Sequence, residues 1–208
     1  MIAYAAIDLR GGRTVQLVGG RPDRERISLP DPVDVARRWV DEGFRALHVV
    51  DLDAAFGRGD NRSVISELLR SVDVPVQVGG GIRDEAAADA LLGAGADRVV
   101  VGTRAIEDPA WLAALARARP GRVVVAADLR EDTVLTRGWA TATDVRVDRF
   151  LRSLDDLPLA AVLVTDVARE GQMTGIDAVR FAPLVAATSR PLIAAGGIAG
   201  IEDLRVLD

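Results

Sequence analysis

The chain repeats itself in order after 115 to 120 residues, and this constrains its fold more than anything in its composition. AAIDLRGG around Asp8 returns as VAADLRED around Asp128, HVVDLD with Asp51 as LVTDVA with Asp166, and VGGGI with Gly80 as AAGGI with Gly196. Each repeated piece is a short apolar, often β-branched run ending in a polar residue or glycine. Between the runs lie segments with helical spacing: DPVDVARRWVDEG, NRSVISELLRSV, RDEAAADALLGAG and DPAWLAALARAR, then VDRFLRSLDD, IDAVRFAPLVAAT and IEDLRVLD. Strands alternating with helices of this length read as βαβ units on a parallel sheet. Two ordered copies of the series predict two half-barrels of four units each. The expected fold is α/β, a (β/α)8 barrel forming one domain over residues 1–208.

The second copy is one unit short. DRVVVGTRAIEDP closes the first half, and its counterpart should fall beyond Asp208, where the sequence ends. Seven strands leave two open sheet edges and eight leave none. A barrel missing its eighth unit is therefore expected, with truncation favoured over an open or partner-completed barrel. Two long loops, GGRPDRERISLPD and REDTVLTRGWATATD, are expected after the first and fifth strands.

Composition excludes several chemistries. There is no cysteine, so disulfides, thiol nucleophiles and thiolate metal sites are out. All basic residues are arginine, which removes any lysine Schiff base. His48 is the one histidine, so neither a multi-histidine metal site nor a histidine pair can form. If the protein is an enzyme, carboxylates must do most of the proton work. A net charge of −5 offers no footprint for nucleic acid or an anionic membrane. With neither a long apolar span nor a leader pattern, a cytoplasmic protein with a small-molecule substrate is expected. A monomer is expected, with self-association if strand eight is absent.

In a barrel of this kind, polar residues at strand ends are the catalytic candidates. Asp8 and Asp128 hold equivalent ends of the first and fifth strands, which suits paired proton transfers with one group as base and the other as acid. Either Asp alone would read as a turn former or helix cap, and it is their recurrence that points to function. Gly79–Gly81 end the third strand and Gly102 with Thr103 the fourth; backbone N–H groups there suit a phosphate. Gly196 and Gly197 repeat half of this device. A substrate with a phosphate at each end is implied. His48 lies inside an apolar strand and reads as a hydrogen-bonded core residue. Asp51 and Asp53 read as holders of the surrounding loops at least as readily as catalysts.

Taken together, IDLRGGRTVQLVGG, HVVDLDAAFGRGDN, VGGGIRD, VVVGT, VTDVAREGQMTG and AAGGI resemble the HisA/PriA family, the phosphoribosyl isomerases of histidine biosynthesis. The resemblance runs through the whole chain in order. It implies an Amadori rearrangement of a bis-phosphorylated aminoimidazole carboxamide ribotide, an aminoaldose becoming an aminoketose, with no metal and no organic cofactor. The family's two aspartates fall on Asp8 and Asp128, and its strand-six threonine on Thr165. Its phosphate grips fall on Gly80, Gly81, Gly102, Thr103, Gly196 and Gly197. The resemblance suggests that Asp128 protonates the ribose ring oxygen and Asp8 moves the C2 proton, with the reverse assignment still open. Arg83 is a candidate to hold a carboxylate or meet the ligand. Arg137 and Trp139, in TRGWAT, fit a movable lid whose indole stacks on the imidazole.

The sequence departs from the family at three places. Glu170 stands where the family usually has Asp, Gln16 where it commonly has Arg, and the eighth-strand half of one phosphate grip is missing. Two alternatives accompany the isomerase reading. One is a bifunctional enzyme that also acts on phosphoribosyl anthranilate in tryptophan biosynthesis, motivated by DLDAAFGRG and RGW. The other is a noncatalytic phosphate-binding fragment that needs a partner. A cyclase of similar half-barrel repeat is disfavoured by the absence of lysine.

Overall fold

A computed structural model describes residues 1–139 and 141–207; Ala140, within TRGWAT, and Asp208 lie outside the described residues. The chain forms two compact units, one made of residues 1–17 and 25–100 and the other of residues 18–24 and 101–208.

Unit 1 contains strands β1 (Ala5–Arg10), β2 (Arg13–Leu17), β3 (Glu25–Leu29), β4 (Leu47–Asp51), β5 (Val76–Gly79) and β6 (Arg98–Val101). Its helices are α1 (Pro32–Asp41), α2 (Leu52–Phe56), α3 (Arg62–Ser71) and α4 (Glu85–Gly93). β1, β4, β5 and β6 run parallel in that spatial order, as the strand–helix alternation predicts. After β1 the chain forms two antiparallel strands, β2 on β1 and β3 on β2, the latter lying within the stretch expected to be a loop. The cause is local. Gly11 and Gly12 both take positive φ, 55° and 73°, so the chain reverses in two residues and RTVQL returns alongside β1.

Residue alternation divides the strands into two faces. Ala5, Ile7, Leu9, Leu47, Val49, Val76 and Val78 turn to one face and join Val33, Ala36, Ile65, Leu68 and Leu69 of α1 and α3 in a core with almost no solvent exposure. Each large aliphatic side chain buried there contributes about 1.5–3 kcal/mol. Asp8 belongs to the opposite alternation and stays partly exposed. Helix starts follow the Asp signals in the sequence. Asp31 precedes Pro32 and accepts from Asp34 N at 3.0 Å, and Asp84 accepts from Ala87 N at 2.7 Å.

Unit 2 contains α5 (Thr103–Glu107), α6 (Pro109–Ala118), β7 (Val123–Arg130), β8 (Thr133–Thr136), β9 (Thr141–Arg146), α7 (Val147–Ser153), β10 (Ala161–Asp166), α8 (Ala178–Ala186), β11 (Leu192–Ala195) and α9 (Ile201–Leu207). β7, β10 and β11 are parallel, with β10 in the middle and buried along its whole length. The second expected loop is likewise a hairpin, β8 pairing β7 and β9 pairing β8. Among the described residues, no helix is long and apolar enough to cross a membrane.

Candidate active site

In unit 1, Asp8 sits on β1 opposite Val15 of β2 and in register with Val50 of β4. Three residues on, the turn is held from outside the hairpin. Gly11 N donates to Asp53 Oδ2 at 2.6 Å, and Gly12 N donates to Asn61 Oδ1 at 2.8 Å. Asn61 Nδ2 in turn donates to Asp51 Oδ1 at 2.7 Å and Asp53 Oδ2 at 3.0 Å. Asp51 also accepts from Asn61 N and Ala54 N, the latter contact capping α2. Asp51 and Asn61 are 3% and 4% exposed, so both carboxylate oxygens of Asp51 are matched by protein donors rather than water. Asp51 and Asp53 thus hold the surrounding loops through their carboxylates. Asn61 was not singled out by the sequence, since its partners lie as far as 49 residues away.

The glycines after β5 serve the protein's own backbone. Gly80 has φ of 101°, and a Cβ there would lie 2.2 Å from the carbonyl oxygen of Asp51. Gly81 is packed in the same way against Ala54. Arg83 is exposed and donates to the carbonyls of Ala54 and Ala55 at 3.2 and 3.3 Å, closing the C-terminal end of α2. His48 accepts from Gln77 through Nδ1 at 2.9 Å, which leaves its proton on Nε2, and burial pushes its pKa down to about 4. It is a neutral, hydrogen-bonded core residue, as its place in an apolar strand suggests.

In unit 2, β7 and β10 lie side by side with Thr165 in register with Asp128. The Thr165 hydroxyl and the Trp139 indole N–H both donate to the Asp128 carboxylate. Those bonds favour the charged form, yet exclusion of water outweighs them and the Asp128 pKa is raised. The Glu170 pKa is raised too, first by burial and then by the negative charge of Asp128. Both shifts favour the protonated form, as in sites that hold and transfer a proton.

The segment containing Gly19 and Gly20 lies against Glu170 and Trp139. Gly19 N donates to the Glu170 carbonyl at 3.2 Å, and a Cβ on Gly20 would fall 2.2 Å from the Trp139 ring. Trp139 has φ of 69° and Arg137 of 56°. The Arg137 amide donates to Thr103 Oγ1 at 2.8 Å and its guanidinium to Glu107 at 3.0 Å. Gly102 precedes α5 and Thr103 begins it. Gly196 repeats the packing of Gly80, with a Cβ there placed 2.5 Å from the Asp166 carbonyl oxygen, while Gly197 lies against Gly175. Thus Asp128, Thr165, Trp139 and Glu170 come together, and Arg137 and Thr103 bond to one another beside α5.

Comparison with known proteins agrees with this pattern. The family model described as Histidine biosynthesis protein matches residues 2–208. A protein of Gemmatimonas aurantiaca, named a phosphoribosyl imidazole-4-carboxamide isomerase, is 51% identical over the whole chain and 88% of its own length. A protein of Myxococcus xanthus bearing the same name is 45% identical over the whole chain and 87% of its own length. One of Deinococcus radiodurans, also so named, is 45% identical over 97% of this chain and 85% of its own. A match of this extent places the chain in the histidine biosynthesis protein family, beside the phosphoribosyl imidazole-4-carboxamide isomerases.

Proposed function

We propose that the protein is an aldose-ketose isomerase of histidine biosynthesis, acting on the bis-phosphorylated aminoimidazole carboxamide ribotide by an Amadori rearrangement. The observation that carries the reading is the setting of Asp128. A dry carboxyl group with a raised pKa, fixed by Thr165 and Trp139, is suited to act as a general acid. Asp128 gives its proton to the ribose ring oxygen as the C1–O bond breaks, and the nitrogen lone pair forms the C1=N bond. Asp8 then takes the C2 proton, and the electron pair moves to form the enolamine that tautomerises to the aminoketose. Thr165 orients the acid. Trp139, once released from Asp128, stacks on the imidazole and excludes water. Backbone N–H groups at Gly80–Gly81, Gly102–Thr103 and Gly196–Gly197 grip the phosphates. Arg137 leaves Glu107 to meet the substrate, and Glu170 adds to the proton-holding character of the pocket.

The test is steady-state turnover of the aminoaldose ribotide by the parent and by Asp8→Asn. The parent is expected to form the aminoketose, and the variant to lose about 10²–10⁴-fold in kcat. A variant that keeps the parental rate removes Asp8 as the base, and a parent without turnover removes the isomerase reading.

A further inference from the structure

The turn beyond each candidate aspartate is tied down in both units by a polar side chain that also bonds a buried Asp, and neither the comparisons nor the resemblance gives these side chains a role. In unit 1, Asp8 lies three residues before Gly11 at the start of a two-residue turn, and Asn61 holds Gly12 while bonding to the buried Asp51. In unit 2, Asp128 lies three residues before Glu131 in an identically registered hairpin. Arg180 donates to the Glu131 carbonyl and, through its other terminal nitrogen, to Asp166 Oδ2 at 3.3 Å. Asp166 is 2% exposed. Gly12 to Asn61 and Glu131 to Arg180 both span 49 residues, and although the two tethers grip different residues of the turn, each also bonds the buried Asp at the end of the neighbouring strand.

We infer that Asn61 and Arg180 are positioning residues for the reaction, each pinning a hairpin tip so that the aspartate three residues back stays at a fixed height and angle. This rests on the assignment of Asp8 and Asp128 as the proton-transfer pair. The need for a tether is plainest in unit 2. Gly11 takes its φ of 55° at no steric cost, whereas Glu131 takes 53° with a full side chain and needs an outside contact to stay there. The lever is short and stiff. In unit 1 it consists of the register pairs Asp8 with Val15, Leu9 with Thr14 and Arg10 with Arg13. In unit 2 it consists of Asp128 with Leu135, Leu129 with Val134 and Arg130 with Thr133. A displaced tip therefore moves the carboxyl, and a misplacement of about 1 Å costs on the order of 10²-fold in rate.

The test compares Arg180→Met, Arg180→Lys and Asp128→Asn by steady-state kinetics per folded molecule, alongside thermal melts. Arg180→Met is expected to lower kcat about 10- to 100-fold with KM changed less than about threefold. Arg180→Lys, which keeps a cation for Asp166 or the Glu131 carbonyl, is expected to recover much of that loss. A merely structural tether would lower the melting temperature and leave kcat untouched, and that result overturns the inference. Asp128→Asn separates the two levels. If it stays active the proposed chemistry is wrong; if it is inactive while Arg180→Met keeps full kcat, only the positioning role falls. Should Arg180→Met fail to fold, Asn61→Ser carries the same kcat-against-KM test in unit 1, where unchanged kcat overturns the inference.

Discussion

Asp128→Asn is expected to reduce kcat by about 10²–10⁴-fold and yet leave the protein at least as stable as the parent at neutral pH. The two effects share one cause. Burial raises the Asp128 pKa, so the native state binds its proton more tightly than the unfolded chain does. Where the native state holds more protons, stability falls as pH rises. The loss begins near the ordinary carboxylate value of 3.8 and is complete once the pH exceeds the raised native value. Above that native value the parent carries the full penalty. Asparagine cannot ionise, keeps an oxygen for Thr165 or Trp139, and also relieves Glu170 of a neighbouring negative charge. Thermal melts from pH 4 to 8 should therefore show the parent losing ground to the variant as pH rises. A variant that loses stability relative to the parent over that range would contradict this account of the pocket.

The second large effect concerns Gly80. Gly80→Ala is expected to destabilise the protein by at least about 3 kcal/mol more than Gly43→Ala. The two glycines have nearly the same backbone angle, φ of 101° and 99°, so the strain of a left-handed alanine is matched. They differ in surroundings. A Cβ on Gly80 meets the Asp51 carbonyl oxygen at 2.2 Å and its nitrogen at 2.8 Å, whereas one on Gly43 meets nothing within 4 Å. The obstacle is backbone, in the residue that caps α2 and binds Asn61, and it cannot swing aside as a side chain can. Urea denaturation of the two variants measures the difference, and equal destabilisation would refute it. Failure of Gly80→Ala to fold while Gly43→Ala folds would agree with it.

These cases show what the sequence makes legible. The parallel strands, the Asp helix starts and the equivalence of Asp8 with Asp128 follow from period, cap chemistry and repeat, which are local or self-comparing signals. The glycine run was also visible, but its neighbour was not: VGGG announces a close approach, and only the fold identifies the Asp51 carbonyl as the object approached. The regions after β1 and β7 were expected to be loops because charged and small residues obscure strand alternation in ERISL and TATDVR. Pairing with a neighbouring strand decides their conformation. Asn61 and Arg180 are harder still. One begins a helix after GRGD, the other sits among apolar residues in AVRFAPLVA, and nothing nearby signals a contact 49 residues distant.

The indole bonded to Asp128 has a practical consequence. The chain has three tryptophans, of which Trp39 packs edge-on against Phe44 and Trp111 lies beneath the Arg104 guanidinium. Only Trp139 is in hydrogen-bond contact with a candidate proton donor. Its fluorescence is thus an internal gauge of that group: the gain or loss of one proton at Asp128, or departure of the indole to make room for substrate, changes the emission of one chromophore against two steady ones. The protein carries its own optical label at the position where a chemist would choose to attach one.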